Sequence, residues 1–434
     1  MRRQLLLFTT TYPYGTGETF IESEVDAVSK VFDRVTLIPM IGHGPQRAVP
    51  QNVSVQAPLW GSAASRREFY CKHALMPRTL ELVARETWRA WTAYRRAHPA
   101  VFYRIWLWAM YRAALERSES VLDAIANPKV VVAYSFWAHT PALAVPTLAG
   151  AGIPVAVRYH SVDLYLDGMS TAGWIHRNCR YFPWREEIEA GSKASLFISN
   201  QGAAYFARNW PNADVSAKIV ARLGAPKPEL DQRPDQRHRL AGDASLVVVS
   251  CSSIVPLKRV AMIAKFVCSL AMNRSVSWHH FGAGDATGVR AVLSAKPSTL
   301  SANLHGQVEN ADVLAFYKAS EPDLFVNFST REGIPVSVME AMSWGIPVLA
   351  TAVGGTPEAV VPGESGLLVD VDDCNQPDAL AARVLEALKP GGALASSQPR
   401  QLWQQRFNAA TNAAKVANIL AELDNRLDKG EVPK

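Results

Sequence analysis

The 434-residue chain has few cysteines and no long apolar run. Its five cysteines lie far apart, and no two of them form a C-x-x-C pair. Such a set argues against a disulfide framework or a zinc site and is typical of a reducing compartment. No stretch reaches the roughly 18 apolar residues of a membrane span. The apolar run Leu5–Phe8 after a basic start is too short for a signal peptide, so we expect a soluble, cytoplasmic α/β protein.

Several catalytic motifs are also missing. The stretches GTGETF and GAGDATG begin like a dinucleotide-binding fingerprint, but neither has a third glycine three residues after the second. The sequence contains no Walker loop, no H-E-x-x-H and no G-x-S-x-G. It also lacks a D-x-D metal pattern beside an apolar strand, and DVDD at 370–373 is interpreted as a turn.

Short apolar runs alternate with helical stretches along the whole chain. The first half carries runs of the buried parallel-strand type: QLLLFTT, RVTLIPM, KVVVAYS, PVAVRYH and ASLFISN. A polar, proline-bearing stretch at 226–244 is predicted to be a linker. A second series follows: SLVVVSC, VSWHHFGAG, ANLHGQV, PDLFVNFS, IPVLATA and SGLLVDV. Two such series predict two doubly wound α/β domains, 1–225 and 245–400, that face each other across a cleft, with helices at 401–434 packing back on the first domain.

The segment between Arg66 and Arg117 differs from the rest in charge and composition. It holds eleven Arg or Lys residues against four Glu, a net charge of +7 where the whole chain has +6. It also contains many aromatic residues of the type found at membrane interfaces: Trp88, Trp91, Trp106, Trp108, Tyr94, Tyr103 and Tyr111. This mixture on helices predicts a surface that rests on anionic lipid. The alternative is an ordinary helical insertion whose rings pack on the sheet while its arginines face solvent.

The stretch TREGIPVSVMEAMSWGIPVLATAVGGTPEAV (330–360) places two carboxylates, Glu332 and Glu340, around a short apolar helix. We expect this helix to begin at Pro335, whose missing N–H costs nothing in a first turn, and to end before Gly345. Glu340 then lies on a buried helix and needs a polar partner, such as the hydroxyl groups of a sugar or a ribose. Glu332 lies in the loop that enters the helix, where free N–H groups attract an anion such as phosphate. Ligands of open parallel sheets bind at this edge.

The same stretch resembles the E-x7-E signature region of the family 4 glycosyltransferases, which are retaining enzymes of the two-domain GT-B type. The resemblance includes both glutamates, the G-I-P after the first, EAM around the second, and the V-G-G loop. It continues in YPYGTGETFIESEV, RYHSVDLY, CSSIVPLKRV, FGAGD, LHGQVEN and WQQRFNAATN. It covers nearly the whole chain and is weakest across 48–127 and the linker.

The resemblance implies a role for each matching residue. Glu340 would hold the ribose hydroxyls of the nucleotide, Glu332 the hydroxyls of the donor sugar, and Lys258 would neutralise the diphosphate. Further donor contacts are implied at Gly333, Ile334, Pro335, Val336 and Gly282. With Lys258 and helix N-termini in the role that a cation has in other transferases, catalysis without a metal is expected.

One position departs from the family pattern. The family has an arginine five residues before its lysine, but here that position is Ser253. One phosphate contact is therefore missing or comes from another residue, and Arg259 is a candidate.

The first half carries candidates of its own. His160 ends the strand PVAVRYH and matches the family histidine that lines the donor-sugar site, with Asp163 close by and His139 on the preceding loop. A structural histidine is the alternative. The loop YGTGE follows the first strand, and its resemblance implies contacts to the acceptor or the diphosphate from Gly15, Gly17 and Glu18. A structural turn is the alternative for that loop.

The resemblance implies a retaining, metal-independent glycosyltransferase that moves a sugar from a UDP or GDP sugar to a glycan or lipid-linked glycan in polysaccharide biosynthesis. The nucleotide sugar is a co-substrate, and neither a separate cofactor nor a nucleic-acid partner is expected. A peripheral position on the inner membrane face, through 66–117, is a hypothesis. Two other functions stay open: a non-catalytic nucleotide-sugar-binding or membrane-docking subunit, and a nucleotide-sugar epimerase or phosphorylase on the same fold.

Overall fold

A computed structural model describes residues 3–165, 179, 181–210, 217–229, 245–395 and 397–423. The chain divides into two compact units: residues 1–221 with 413–434 form the first unit, and residues 222–412 form the second. Most of the predicted linker, residues 230–244, lies outside the described residues.

The first unit is built around a parallel sheet in which every described strand runs in the same direction. Its strands are β1 (Gln4–Thr9), β2 (Arg34–Pro39), β3 (Val53–Val55), β4 (Val131–Ser135), β5 (Val155–Tyr159), β6 (Ala194–Phe197) and β7 (Lys218–Val220). Their order across the sheet is β3-β2-β1-β4-β5-β6-β7. The interior strand β1 pairs with both β2 and β4, so that Leu5 lies opposite Val35 on one side and Val132 on the other. Strands with neighbours on both edges and helices on both faces have apolar side chains throughout.

The helices of the first unit surround this sheet. They are α1 (Glu22–Val31), α2 (Ala63–His73), α3 (Pro77–Thr92), α4 (Pro99–Leu115), α5 (Glu119–Ala126), α6 (Val145–Gly150), α7 (Ser161–Leu164), α8 (Arg185–Gly191) and α9 (Asn200–Asn209). Short 3₁₀ helices occupy Thr19–Ile21, Pro128–Val130 and Thr140–Ala144. Ser62 caps α2, since its hydroxyl accepts a hydrogen bond from the N–H of Ser65 at 3.1 Å.

The second unit repeats the architecture. Its strands are β8 (Leu246–Cys251), β9 (Val276–Phe281), β10 (Leu300–Gly306), β11 (Leu324–Asn327), β12 (Val348–Thr351) and β13 (Gly366–Val369), in the order β10-β9-β8-β11-β12-β13. All of their pairings are parallel. This strand order is that of the classic dinucleotide-binding doubly wound sheet, and its switch point lies between β8 and β11.

The second unit also has helices between its strands. They are α10 (Val260–Ala271), α11 (Thr287–Leu293), α12 (Asn310–Ser320), α13 (Val336–Ser343), α14 (Thr356–Ala359), α15 (Pro377–Ala387) and α16 (Pro399–Arg406), with 3₁₀ helices at Pro256–Lys258 and Asp373–Asn375. A last helix, α17 (Ala409–Glu422), crosses the boundary between the units at residue 413. In its later part the carbonyl of Ala421 accepts a hydrogen bond from the Arg3 guanidinium at 2.6 Å.

All eleven apolar runs that the sequence predicts as strands are strands in this structure, and both sheets are doubly wound. Two strands were not predicted, β3 and β7. Each has three residues and lies at an edge of the first sheet.

Candidate active site

The buried helix α13 carries Glu340 where the sequence predicts it. Val338, Met339 and Met342 are fully buried, and the Glu340 side chain is itself only 7% exposed. Pro335 is the N-cap residue rather than the first helical residue, because its ψ of 126° is extended, and the helix therefore begins at Val336. The predicted stop at Gly345 is confirmed by its positive φ of 74°, a conformation that glycine adopts without strain.

Glu340 has one neutral partner among the described residues. The side-chain amide of Asn310, the first residue of α12, donates a hydrogen bond to Glu340 Oε1 at 2.9 Å. Burial raises the pKa of Glu340 to about 7, and the hydrogen bond from Asn310 lowers it in part. A carboxylate that lies in a buried place without a cation is unfavourable unless hydrogen-bond donors approach it. The hydroxyl groups of a ligand would provide such donors.

Glu332 and Lys258 are brought together although 74 positions separate them. Lys258 Nζ lies 2.5 Å from Glu332 Oε1, and the amide of Asn327 approaches the same oxygen at 3.5 Å. Lys258 ends the 3₁₀ turn after β8, and Glu332 lies in the loop after β11. The two loops are joined by a hydrogen bond from the N–H of Thr330 to the carbonyl of Leu257 at 2.9 Å. An anion that binds here can replace Glu332 as the partner of the Lys258 ammonium group.

The loop between Glu332 and α13 brings backbone rather than side chains to this place. The N–H groups of a first helical turn have no acceptor inside their helix. In α13 the N–H of Val338 donates to the Pro335 carbonyl at 3.2 Å, whereas those of Val336 and Ser337 have no backbone acceptor among the described residues and can bind an anion. The V-G-G loop holds this segment from the other side, since the N–H of Gly355 donates to the carbonyl of Gly333 at 2.7 Å. Gly354 has a φ of 54°, and a Cβ there would lie 1.8 Å from the Glu332 carbonyl oxygen. This close approach requires glycine.

Three other residues were predicted to contact the nucleotide-sugar donor, and their surroundings are described next. Ser253 is exposed in the loop after β8. Gly282 has a φ of 138°, and a Cβ there would lie 1.9 Å from the Ser252 carbonyl oxygen. The close packing of these two loops therefore explains the glycine without a contact to the donor. The Arg259 guanidinium donates to the carbonyl of Val371 at 2.8 Å and to the Asn375 amide oxygen at 2.7 Å. These contacts argue against Arg259 as the source of the missing phosphate contact, because both of its terminal nitrogens have partners.

In the first unit, His160 follows β5 and is buried, with 4% exposure. Its ring packs against Trp137, with 4.2 Å between ring centroids, and against Phe136 at 5.0 Å. Neither ring nitrogen has a hydrogen-bond partner among the described residues, and Nδ1 lies 3.9 Å from Asp163 Oδ2. Burial, with the positive charge of Arg158, holds the pKa of His160 well below its ordinary value. The imidazole is therefore neutral and offers a polar atom within an otherwise aromatic environment.

Asp163 shapes the backbone around that histidine. Its Oδ1 accepts from the N–H of His160 at 2.6 Å and its Oδ2 accepts from the N–H of Ala138 at 2.7 Å. Burial raises the pKa of Asp163 to about 7, although the charge of Arg185 and these two backbone donors lower it in part. Asp163 thus connects the carboxyl ends of β4 and β5, where its side chain has a structural partner on each side.

His139 also has a structural partner. Its Nδ1 accepts from the N–H of Thr140 at 2.8 Å, which caps the 3₁₀ helix Thr140–Ala144. Its ring stacks on Trp137 with 5.3 Å between centroids. Burial lowers the pKa of His139 to about 3, so this ring is neutral as well.

The glycine loop after β1 has the geometry of a structural turn, which was the alternative to a ligand contact. The Glu18 carboxylate accepts hydrogen bonds from the N–H groups of Thr11 and Tyr12, both at 2.6 Å, and from the indole N–H of Trp137. These donors engage the carboxylate fully, which argues against Glu18 as an acceptor-binding group. Gly15 has a φ of 65°, and a Cβ there would lie 2.7 Å from the His43 carbonyl oxygen. Gly17 is less constrained, since its nearest contact would be at 3.3 Å.

Sequence reasoning missed two residues that hold these sites together. Asn310 lies in the stretch LHGQVEN, which carried part of the resemblance, but nothing in the sequence links it to Glu340 thirty positions later. Trp137 lies between the rings of His139 and His160 and connects them to Glu18. The stretch FWAHT after a predicted strand was a signal for it, because a tryptophan at the carboxyl edge of a sheet lies where ligands bind.

The basic aromatic segment is helical, as predicted, but its surface differs from the prediction. Trp108 and Tyr111 are buried in the core, with 8% and 7% exposure. Arg112 is also buried and pairs with Glu116 at 3.0 Å and with Glu187 at 2.8 Å. Part of the segment therefore packs on the first unit in the way that the alternative interpretation expects.

Two properties hold for the described part of the chain. There, no helix combines the length and the apolar character that a membrane crossing requires. The same residues contain no group of three or more His, Cys, Asp or Glu side chains placed to hold a metal ion. Independence from a metal remains a prediction.

Comparison with known proteins finds one family match and several relatives. Residues 245–390 match the family described as "Glycosyl transferases group 1". The GDP-mannose-dependent alpha-mannosyltransferase of Mycolicibacterium smegmatis is 34% identical over 100 residues, which are 23% of this chain and 26% of that protein. The lipopolysaccharide core biosynthesis mannosyltransferase LpsB of Rhizobium meliloti is 30% identical over 154 residues, which are 34% of this chain and 43% of that protein. The chain thus matches less than half the length of either relative.

Solved structures match over a greater length. Anabaena Alr3699/HepE, in its crystal structure with UDP-glucose, covers 97% of this chain and 100% of its own, with a TM-score of 0.58 and 15% sequence identity. This likeness confirms the predicted GT-B fold of two doubly wound α/β domains. The stretch that matches the group 1 glycosyl transferases, residues 245–390, includes Lys258, Glu332 and Glu340.

Proposed function

We propose that this protein is a retaining glycosyltransferase of family 4 that transfers a sugar from a nucleotide-diphosphate sugar to a glycan or a lipid-linked glycan. The observation that carries the proposal is the arrangement around α13. A buried carboxylate, Glu340, has only a neutral amide partner, and a lysine–glutamate pair lies at the entrance of the same helix. Both lie at the carboxyl ends of parallel strands beside the switch point, where ligands of such sheets bind.

Each group has chemistry that suits one part of such a donor. Glu340 can accept hydrogen bonds from the two ribose hydroxyls, which would compensate its burial. Lys258 can neutralise the diphosphate as it leaves, together with the free N–H groups at the start of α13. Glu332, freed from Lys258, can accept from the hydroxyls of the donor sugar. The transition state of glycosyl transfer has oxocarbenium character, so charge on the leaving diphosphate must be stabilised.

His160 and Asp163 are proposed to serve the same transfer from the first unit. The neutral ring of His160 can offer one hydrogen bond to a sugar or its leaving group, and it cannot offer a charge. Asp163 is proposed to position this histidine through the backbone N–H that it accepts. Replacement of His160 by Ala should reduce transfer without changing nucleotide affinity.

The relatives suggest the acceptor class and leave the nucleotide open. One is named for GDP-mannose and another for lipopolysaccharide core synthesis, whereas Anabaena HepE was crystallised with UDP-glucose. We propose an acceptor used in the assembly of a surface polysaccharide, and a peripheral site of action at an anionic membrane surface through 66–117.

A second function is favoured by one observation. Ser253 replaces the arginine of the family, and Arg259 has other partners, so the diphosphate site has fewer cations than the family pattern. A protein that binds a nucleotide sugar without turning it over would show this loss.

Two measurements separate these functions. A thermal-shift screen of UDP and GDP sugars should show one donor that raises the melting temperature, because a ligand of the native state stabilises it by mass action. Slow hydrolysis of that donor in the absence of an acceptor identifies the enzyme. Stabilisation without hydrolysis or transfer would favour the binding subunit, and no stabilisation by any nucleotide sugar would contradict both.

A further inference from the structure

Exposed large apolar side chains are concentrated in one region of the first unit. Among the described residues twelve such side chains are exposed, and seven of them lie between positions 75 and 103. The seven are Leu75, Leu80, Trp88, Trp91, Tyr94, Phe102 and Tyr103. A scatter of single apolar residues needs no explanation, but a cluster of this kind marks an interaction surface.

The most exposed rings lie where α3 ends and α4 begins. Trp88 and Trp91 lie on the last turns of α3 with 64% and 57% exposure, and their rings meet edge to face with 5.5 Å between centroids. Phe102 and Tyr103 lie near the start of α4 with 48% and 44% exposure. We call the region from Trp88 to Tyr103 the aromatic corner.

The exposed rings of α3 do not belong to the hydrophobic core, because a different face of this helix packs there. Leu82 and Ala90 are each 1% exposed and belong to the core of the first unit. Glu86 is also buried, and its Oε1 accepts from the N–H of Trp184 at 2.6 Å and from the hydroxyl of Tyr181 at 2.8 Å. The opposite face of the helix, with Trp88 and Trp91, is therefore left for a partner.

The positive charge of the corner is smaller than the sequence suggests, because the half-exposed Glu186 pairs with Arg89 and accepts a hydrogen bond from the hydroxyl of Tyr94. Arg78 pairs with Glu116 at 2.8 Å, and Arg89 pairs with Glu186. Arg95 and Arg96, in the exposed loop between α3 and α4, form no ion pair with a described residue. The sequence from 87 to 115 contains no Asp or Glu. The corner thus presents two exposed arginines among aromatic rings.

We propose that the aromatic corner docks on the surface of a bilayer that contains anionic lipid. Tryptophan and tyrosine rings prefer the boundary between headgroups and acyl chains, and arginines beside them bind lipid phosphates. Trp88, Trp91 and Phe102 enter that boundary, while Arg95 and Arg96 contact the headgroups. In the context of the proposed function, on which this role rests, docking brings the enzyme to a lipid-linked acceptor.

The composition of the corner favours lipid over a protein partner. The tandem arginines lie in the loop between the tryptophans and Phe102, so the cations are flanked by rings on both sides in the sequence. Because most arginines of 66–117 are held in internal contacts, ring insertion rather than charge should supply most of the affinity. Binding to anionic vesicles should therefore persist partly at raised salt, which screens exposed charges.

The test is co-sedimentation of the full chain with phosphatidylcholine vesicles that contain about 30% phosphatidylglycerol, compared with phosphatidylcholine alone. Quenching of tryptophan fluorescence by brominated lipid reports ring insertion. Trp88→Ala/Trp91→Ala should weaken binding by about tenfold or more, since two interfacial rings are lost. Arg95→Glu/Arg96→Glu should weaken binding to the anionic vesicles by about tenfold and leave binding to neutral vesicles nearly unchanged. The control is Leu122→Ala/Met272→Ala, which removes two exposed apolar side chains outside the corner.

The proposal is overturned if the wild-type chain does not bind the anionic vesicles, or if the tryptophan double variant binds them equally well. If the wild-type chain instead forms a dimer that this variant abolishes, the corner is a self-association surface and the proposal is wrong. Circular dichroism verifies that each variant is folded. Donor hydrolysis in solution, measured on the same proteins, distinguishes failure of docking from failure of the proposed function, because docking has no part in that reaction.

Discussion

In the second unit the ammonium group of Lys258 pairs with Glu332, whereas in the first unit the ring of His160 packs against Trp137 and has no hydrogen-bonded partner among the described residues. Both residues lie in loops at the carboxyl ends of parallel strands. The physical character of the two places is nevertheless different. One holds charges that a ligand can rearrange, and the other holds neutral rings whose positions are fixed by packing.

This difference follows from what surrounds each loop. The entrance of α13 has free N–H groups and a lysine, so it attracts anions. The region around His160 is lined by aromatic rings, and burial keeps the pKa values of His139 and His160 low, so both imidazole rings are neutral. The second unit is therefore suited to hold a charged leaving group, and the first unit is suited to give a hydrogen bond to an uncharged one.

The largest expected effect is at Lys258. Lys258→Ala should reduce donor hydrolysis and transfer by about 10²–10³-fold, because a preorganised group that stabilises the leaving charge contributes about that much. His160→Asn should reduce them less, since a neutral ring supplies no charge. Initial rates at saturating donor provide the measurement. A greater loss for His160→Asn than for Lys258→Ala would reverse the comparison between the units.

The second effect is a dependence on pH at Glu340. Its pKa in the native state, about 7, lies above the ordinary value of 4.5. Below about pH 4.5 the group is protonated in both the native and the unfolded state, and its burial does not destabilise the protein. As the pH rises through 7, the cost of burying the charge progressively destabilises the native state. Glu340→Gln removes that charge. Relative to the wild type, the variant should gain about 1–3 kcal/mol in free energy of unfolding between pH 5 and pH 8. Urea denaturation at each pH measures it.

Donor binding should show the opposite preference. Ribose hydroxyls donate to an ionised carboxylate, so the affinity of the wild-type protein for its nucleotide should fall by up to about tenfold per pH unit below pH 7. Glu340→Gln should bind more weakly at pH 8 and lose this slope. Calorimetric titration with the nucleotide diphosphate at pH 6, 7 and 8, conditions that span the pKa of about 7, makes the comparison. A slope that survives in the variant would assign the titration to another group.

The sequence predicts elements that are long, apolar and local more readily than contacts between distant residues. The β11–α13 region was predicted because an apolar strand, a proline and a glycine follow one another within a short stretch. The edge strand β3, Val53–Val55, was missed because three residues with one buried side chain give no periodic signal. Contacts inside loops were a second feature that the sequence did not predict. Glu18 resembled a ligand contact, but its partners Thr11 and Tyr12 can be found only once the turn is built.

Charge was the least predictable property. The eleven cations of 66–117 suggest one basic surface, yet Arg112 is buried in ion pairs with Glu116 and Glu187, the latter seventy-five positions away. A count along the sequence cannot show which cations have partners, because partners such as Glu187 come from other helices. Burial of Glu340 was predictable for the contrasting reason that its helix neighbours are apolar.

A smaller effect is expected for the turn after β1, which the Glu18 carboxylate stabilises in the first unit. Glu18→Gln leaves backbone donors of Thr11 and Tyr12 with a weaker acceptor, so the free energy of unfolding should fall by about 1–3 kcal/mol. Nucleotide binding by the second unit should not change. Glu22→Gln is the matched control, since that glutamate is half exposed and pairs with Arg47, and it should lose less than about 1 kcal/mol. Equal losses in the two variants would show that the Glu18 network contributes no more than a surface ion pair.

The smallest effect concerns the cation that the second unit lacks. Ser253→Arg restores the family's arginine at an exposed position, and a partly solvated pair with phosphate should tighten nucleotide-diphosphate binding by about two- to fivefold at low salt. Arg259→Ala should leave that affinity unchanged, because the guanidinium is held by Val371 and Asn375. Titration calorimetry at two salt concentrations measures both, and the gain of Ser253→Arg should shrink at the higher one. If Arg259→Ala weakens binding and Ser253→Arg does not improve it, then Arg259 leaves its present partners to contact the phosphate.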